Sequence, residues 1–374
     1  MRDSVLKGGT TKGVLLAAFL IALALALIIL PQIDLKGVKQ KITAEASAQF
    51  NGEVTIARAS FSLVPWPHFT LKGITISSPE WGAVASEEAR IYPRLLPLLK
   101  KEVSVRSVFV KGTVLDLILS DGIIERGKDV FSYVDEKVLR MIPSLKLEGG
   151  VINLLRPEEK APFFTTYGLK GSISSSGGGK GRIKLRFSCP WAKEIELRVK
   201  TGAKGDKGRS CSVLARGTGV EIERVRALIL KFLGKDETVR TVFSIIRGGE
   251  LSRITFEGRG STFEEALDFE QNVRISGAFT AGRLLTPPGP LPLEDVSGEF
   301  SIEEAVLRCW AADARLGRTT AKGLTLVVGL ISAREAFHLD GVIDADAADL
   351  AHYLPLIIKD EGLRREIASF REAE

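Results

Sequence analysis

Two patterns of apolar positions divide the chain. Residues 13–30 form an unbroken apolar run, whereas most of the chain after them alternates apolar with polar residues. A helix of eighteen residues extends about 27 Å, which is enough to cross the hydrocarbon core of a bilayer. The run therefore predicts either a membrane-spanning helix or a signal peptide.

The end of this run favours an uncleaved anchor. A cleavable signal peptide ends in small residues, but here Ala26 is followed by large apolar residues as far as Leu30. Basic residues flank the run in equal number, so the positive-inside rule does not set its orientation. We therefore expect residues 13–31 to form a signal anchor whose orientation must come from the nature of the large domain.

After the anchor, the dominant period is two. Apolar residues alternate with charged ones, which places one side of each strand against apolar material and the other in water, as in a half-wetted antiparallel sheet. The positions that we predict to line the apolar side are Val105, Leu115, Leu117, Ile183, Leu185, Phe187, Leu197, Ile254 and Phe256.

Glycines recur two residues after an apolar residue, and this context is typical of turns. The positions are Gly73, Gly112, Gly149, Gly171, Gly258, Gly277, Gly298, Gly323 and Gly341. From Gly258 onward they are spaced by 18 to 25 residues, near the length of two strands with their turns. The spacing predicts a meander that adds strands in sequence, with a loose repeat.

Helical patterns are few. We predict helices near residues 35–50 and 127–141, a pair within about residues 220–247, and a tail from Asp349 onward. In the pair, Val225, Leu228 and Phe232 fall at helical spacing, which favours a lid packed on the sheet over a functional site. The predicted fold class is mainly β with a few helices, built as an elongated, curved antiparallel sheet.

Composition excludes some classes of protein. The net charge of +6 is spread along the chain, which indicates a mildly basic surface and not a nucleic-acid-binding patch. Cys189, Cys211 and Cys309 form no Cys-x-x-Cys pair and are odd in number, so no disulfide framework is expected. A single bridge between Cys189 and Cys211 stays open, beside the favoured alternative of two buried thiols.

Candidate catalytic residues are scarce. The three histidines lack metal-ligand spacing, and no nucleophile elbow or dinucleotide motif is present, so we expect neither an enzyme nor a cofactor. The Ser- and Gly-rich run 174–180 lacks a phosphate-loop ending and leads into a strand, which predicts a hairpin loop. Asp344, Asp346 and Asp349 could hold a cation, but their position favours capping of the C-terminal helix.

A stretch near the N-terminus carries a more specific pattern. Residues 62–67 read Ser-Leu-Val-Pro-Trp-Pro, residues 71–74 read Leu-Lys-Gly-Ile, and residues 95–99 read Leu-Leu-Pro-Leu-Leu. In this order, after a transmembrane start, the chain resembles the N-terminal region of the AsmA-like proteins of Gram-negative envelopes. The resemblance covers about the first 120 residues.

The resemblance implies a location and a function. It implies a cytoplasmic tail over residues 1–12, an inner-membrane anchor over 13–31, an AsmA-like region over 32–126 and a continuing groove region over 127–374. The bulk of the chain would lie in the periplasm as an open trough that binds phospholipid. It would assist lipid transport between the inner and outer membranes and outer-membrane biogenesis.

Several alternatives stay open. The apolar side either lines a groove for acyl chains or closes as a core, on itself or on the helices. Trp66 is expected either at the bilayer surface, where tryptophan is favoured, or packed within its loop. A trough shorter than the envelope gap would need an envelope partner, a homo-oligomer or a further C-terminal part. The alternative function is a scaffold that assembles outer-membrane proteins by strand addition.

Overall fold

The protein is described by a computed structural model. It describes residues 40, 43, 44, 47, 52–64, 66–79, 82–94, 104–118, 144–157, 161–176, 180–202, 210–233, 237–286, 291–330, 337–358 and 360–369. The predicted anchor at 13–31 and the predicted helix at 127–141 lie outside these residues, as does most of the helix predicted near 35–50. Within the described part of the chain, no helix combines the length and apolar character needed to span a bilayer.

Long strands make up most of the described chain. They are β1 (Glu53–Ser62), β2 (His68–Ser78), β3 (Gly82–Pro93), β4 (Val105–Ile118), β5 (Ser144–Leu155), β6 (Phe164–Thr165), β7 (Tyr167–Ser176), β8 (Lys180–Cys189), β9 (Ala192–Thr201), β10 (Cys211–Glu221), β11 (Ile246–Gly260), β12 (Val273–Thr286), β13 (Leu291–Glu303), β14 (Val306–Leu316), β15 (Thr319–Gly329) and β16 (Phe337–Asp344).

Within the described residues, the helices with defined bounds are short and lie late in the chain, and residues 40, 43, 44 and 47 are also helical. The helices with defined bounds are α1 (Ile222–Leu233), α2 (Glu237–Ile245), α3 (Phe263–Ala266), α4 (Ala347–Ile357) and α5 (Glu361–Ser369). The helix pair and the C-terminal helical tail are as predicted. The single turn α3 was not predicted, because one helical turn is too short to show a helical period.

The strands form one open, curved sheet in chain order. All sixteen belong to it, and they follow one another in chain order except that β6 pairs only with β5, so that β5 pairs next with β7. The predicted meander is therefore confirmed. The prediction of a purely antiparallel sheet is wrong, because β4 and β5 run parallel. Parallel neighbours need a long crossover, and residues 119–143 supply the required length.

The recurrent glycines do not mark turns, so that prediction is also wrong. Gly277, Gly298, Gly323 and Gly341 lie in the interiors of β12, β13, β15 and β16. The 18 residues between Gly323 and Gly341 span one strand and its connection, not two strands. The glycine spacing does reflect a structural repeat, but the repeating unit is one long strand with its connection.

Some of these glycines stand where the strands change their alternation. Gly112 in β4 has φ 61° and Gly149 in β5 has φ 70°. In a regular strand, residues five apart face opposite sides. The irregularities keep Val110 and Leu115 on the same side. Their partners in β5 are Leu147 and Ile152. Across the shift in β5, Leu147 and Gly150 pair with residues 171 and 169, which stand two apart on β7 and so face the same side. Further register shifts occur in β11 to β16, and such bulges bend and twist a strand.

Apolar packing is concentrated in two small clusters. One joins Val199, Cys211 and Val213 to Ala266 of α3. The other contains Cys189, and α1 packs against it through Val225. Cys189 and Cys211 are both buried and free, so the favoured alternative of two buried thiols is confirmed. Among the described residues, no large side chain is fully buried. The sheet thus has no continuous closed core in this part of the chain.

The acidic cluster caps the C-terminal helix, as predicted. The Asp346 carboxylate accepts hydrogen bonds from the N–H groups of Ala348 and Asp349, at 3.0 and 3.2 Å. Asp349 accepts the N–H groups of Arg318 and Thr319 and so ties α4 to the turn between β14 and β15. Burial would raise the pKa of Asp349, but these hydrogen bonds outweigh it and hold that pKa below its ordinary value.

Candidate functional site

The strand register places many of the predicted lining residues on one side of the sheet. Residues that pair directly across neighbouring strands face the same side. Leu185 pairs with Leu197, which pairs with Ala215, which pairs with Phe256. A second row runs in the same way from Phe187 through Ile195 and Gly217 to Ile254, and Ile183 pairs with Val199. We call this side of the sheet the apolar face.

The predicted positions in β4 lie on the same face. Ile183 pairs with Ile173, which pairs with Leu145 of β5, and Leu145 pairs with Val108 of β4. Beyond the irregularity at Gly112, Leu115 and Leu117 pair with Ile152 and Leu154. Val105 also lies on the apolar face, because it pairs with Pro93 of β3 next to a β-bulge. The register therefore brings all the predicted lining residues to one face, while their contact with lipid stays a prediction.

The apolar face extends beyond the residues that sequence reasoning identified. On the C-terminal side it continues through Ile275, Ile302, Leu307 and Val328, each paired with the next. On the N-terminal side it reaches β1, where Val54 and Ile56 are buried. These residues also alternate with polar ones, so the signal was present, but the strand register was needed to show that they share a face.

Helices cover only part of this face. Near one end of the strands, Val225 of α1 packs against the buried cluster of Cys189, Ala192 and Val220. At the other end, α3 lies so close that a Cβ on Gly258 would come within 1.9 Å of the Ala266 carbonyl oxygen. The prediction that the helix pair packs on the sheet is confirmed.

Between the two helical covers, the apolar face stays partly exposed. Leu185, Leu197 and Phe256 are all of intermediate exposure. The side chain of Leu185 leans over Gly171, where an added Cβ would lie 2.6 Å from Leu185 Cδ2. In the described part of the chain the sheet is a single layer, so no second sheet covers these side chains.

The opposite side, which we call the polar face, carries ion pairs around Glu196 and Arg186. Glu196 is buried and lies 2.7 Å from Arg198 Nη2 and 3.4 Å from Lys184 Nζ. The hydrogen bonds donated by Arg198, with a further one from Lys184, hold the pKa of Glu196 below its ordinary value. Arg186 pairs with Glu194 at 3.3 Å. Alternation along β8 thus separates an apolar side from an ion-paired side, as its sequence predicted.

Trp66 lies at the surface of the loop between β1 and β2. Its side chain is 66% exposed, so packing within the loop does not describe it. A hydrogen bond fixes the loop to the start of β2, since the buried His68 donates from Nδ1 to the Trp66 carbonyl oxygen at 2.7 Å. An exposed indole on a fixed loop suits contact with a bilayer surface, and that contact stays a prediction.

Comparison with known proteins identifies the N-terminal region. Residues 7–123 match the family model described as the AsmA family, so the AsmA-like assignment is confirmed. The match includes β1 to β4, and hence Trp66, Leu115 and Leu117. Among curated proteins, no sequence matches the chain.

Proposed function

We propose that this chain, with its AsmA-family N-terminal region, binds phospholipid along the apolar face and assists lipid transfer between the inner and outer membranes. The single observation that carries the proposal is the difference between the two faces. One face is aliphatic across the sheet and only partly covered by helices, whereas the other is polar and carries its own ion pairs. Membership of an envelope-associated family supports the same conclusion.

The energetic argument concerns acyl chains. Exposing about fifteen methylenes to water costs on the order of 12 kcal/mol, at about 0.8 kcal/mol each. Contact with a continuous aliphatic face offsets much of that cost at every point along the sheet. The headgroup would stay in water at the strand ends, so movement along the face needs no covalent chemistry.

The dimensions of the sheet limit what one chain can do. With β6 off the path, the remaining strands stack in one row. At about 4.8 Å per step, the row extends roughly 65 to 70 Å. We expect this to fall short of the envelope gap, so the proposal includes an envelope partner or a second copy that extends the path.

The proposal also includes a location. The chain would be anchored in the inner membrane by residues 13–31, with the sheet in the periplasm. An alkaline phosphatase fusion after Lys100 should be active, because that enzyme folds only when exported. Activity of a cytoplasmic reporter alone at the same site would contradict the orientation.

A second function has one observation in its favour. Within the described chain, β16 pairs only with β15 and ends the sheet. Leu339, Val342 and Ile343 of this edge strand are 49%, 73% and 58% exposed. An exposed apolar edge strand can add a strand from another polypeptide. The alternative is therefore a scaffold that binds outer-membrane proteins at this edge.

Mass spectrometry of material bound to the purified full-length protein distinguishes the two functions. The protein would be purified in a neutral detergent and its organic extract quantified against protein. A version that ends at residue 51 keeps the predicted anchor and counts the lipid that the anchor alone carries. Near-stoichiometric phospholipid above that control supports the groove, bound peptide without lipid supports the scaffold, and neither would contradict both.

A further inference from the structure

A row of basic residues crosses the polar face at one end of the central strands. Arg182 pairs directly with Lys200, Lys200 with Ser212, and Ser212 with Arg259. Ser174 of β7 extends the row on its other side, since it pairs with Arg182. We call Arg182, Lys200 and Arg259 the cationic row.

The cationic row differs from the rest of the polar face. Like charges that lie directly opposite each other on neighbouring strands are destabilising, and Arg182 faces Lys200 in this way. The neighbouring basic residues of the polar face in the same two strands are Lys184 and Arg198. Both pair with the carboxylate of Glu196.

In the described part of the chain, no carboxylate compensates the row in the same manner. Among the described residues, none of the three basic side chains of the row makes an ion pair with an acidic one. The acidic residue nearest to the row in the register is Glu257, two positions from Arg259, and it stands opposite Arg274. Within the described ranges, the repulsion within the row is therefore not offset by a carboxylate as it is around Glu196.

The row borders a cleft with further polar groups. The cleft has a volume of about 640 Å³, and Lys180, Ser174, Ser210 and Ser212 line it together with the row. Its glycines keep the backbone close to the hydroxyl groups, since a Cβ on Gly202 would come within 2.1 Å of Ser210 Oγ. The described lining residues supply guanidinium, ammonium and hydroxyl donors and include no carboxylate. Such donors bind phosphate oxygens.

We propose that this cleft is a binding site for a phosphate group, of the kind that an anionic lipid headgroup carries. Thr201, Cys211 and Gly260 also line the cleft and stand in the next row, on the apolar face. Cys211 belongs there to the cluster that contains Val199 and Val213. A headgroup held at the strand ends could therefore place its acyl chains on the apolar face. The assignment of the phosphate to a lipid rests on the proposed function, whereas the site itself does not.

The test compares two triple variants of the full-length protein in neutral detergent. The first is Arg182→Gln with Lys200→Gln and Arg259→Gln. The control is Lys111→Gln with Lys146→Gln and Lys170→Gln, which removes equal charge from exposed lysines of the polar face outside the cleft. Calorimetric titration with inorganic phosphate at low ionic strength should show at least a tenfold loss of affinity in the first variant and an unchanged affinity in the control.

Folding is checked in the same samples. The first variant should melt at the same temperature as the wild type or higher, because it removes the repulsion within the row. A cooperative melt in both variants shows that a lost affinity reports on the site and not on unfolding. Equal phosphate affinity in the two folded variants, or no phosphate binding by the wild type, would overturn the proposal.

The lipid extract of the same samples identifies the source of the phosphate. If the ligand is a headgroup, the first variant should lose anionic phospholipid relative to zwitterionic phospholipid, while the control keeps the wild-type ratio. Loss of phosphate affinity with an unchanged lipid ratio supports a site for a free phosphate compound. If the wild type binds phosphate at the row but carries no lipid, the proposed function fails and the site stands.

Discussion

Leu185 and Arg186 are neighbours on β8, yet they lie on faces with opposite requirements. Arg186 is half exposed and its charge is met by Glu194 of the same chain. Leu185 is partly exposed too, but apolar surface has no equivalent partner in water, and the helices cover only the two ends of its face. The comparison teaches that the charges around Glu196 and Glu194 on the polar face are paired within the chain, whereas the described chain leaves the apolar face partly uncovered.

The largest effect is expected where the apolar face is already covered. Gly258→Val would drive a side chain into the backbone of α3, because even a Cβ there would lie 1.9 Å from the Ala266 carbonyl oxygen. We expect it to lower the free energy of unfolding by about 2–4 kcal/mol, by displacing α3. Denaturant melts measure this.

Gly323→Ala is the matched control for that substitution. Gly323 has φ +60° but no atom within 4 Å of an added Cβ, so only backbone strain of about 1 kcal/mol is expected. Equal losses in the two variants would mean that α3 does not cover the apolar face closely.

A smaller effect is expected on the polar face, at its buried carboxylate. Glu196→Gln removes the charge that Arg198 and Lys184 share and should cost about 1–2 kcal/mol at pH 7. The pKa of Glu196 is lowered in the folded protein, so its contribution is present above the ordinary pKa of 4.5 and is lost as the pH falls through the folded value.

Thermal melts at pH 7 and pH 3 check the sign of this effect. The wild type should be more stable than Glu196→Gln at pH 7, and the difference should shrink at pH 3. A difference that grows on acidification would show that the ion pairs of Glu196 do not stabilise the fold.

The smallest effect is expected at an exposed pair of the same face. Arg186→Ala breaks the ion pair with Glu194, whose partners are 54% and 48% exposed. Exposed pairs contribute about 0–1 kcal/mol, and salt screens them. Melts at low and high salt should differ little between this variant and the wild type. A loss as large as that of Glu196→Gln would show that the polar face is less hydrated than the account requires.

Much of the fold could be predicted because single strands carry their own signal. In β8, apolar and basic residues alternate over nearly the whole strand, so its two faces follow from the sequence. The sequence of a strand does not show whether its neighbour runs parallel or antiparallel to it. For this reason the parallel pair of β4 and β5 was not predicted. Glycine supplies positive φ both in turns and in bulges, so Gly112 and Gly323 were assigned to turns although they lie inside strands.

The candidate site was predictable only as far as single strands show it. The lining residues follow from alternation within each strand, and the register then places them on one face. The cationic row could not be found in this way, because Arg182, Lys200 and Arg259 come from three strands and each looks like an ordinary exposed charge. Only the pairing of β8 with β9, and of β10 with its neighbours, brings them into one row.

The most direct test of the central claim places a carboxylate on each face of β8 in turn. Leu185→Asp and Arg186→Asp would be made in the full-length protein, and bound phospholipid and thermal melts would be measured for both. On an open apolar face the new charge stays hydrated once lipid is absent. We therefore expect Leu185→Asp to fold with a modest loss of stability and to lose its bound lipid, while Arg186→Asp keeps lipid at the wild-type amount.

A closed core gives a different result. There, Leu185→Asp would bury an unpaired charge and cost several kcal/mol, which would abolish the cooperative melt. Lipid loss from a folded Leu185→Asp variant, with lipid retained by Arg186→Asp, is the result that the account predicts. Loss of the cooperative melt in Leu185→Asp, or equal lipid content in the two variants, would contradict it.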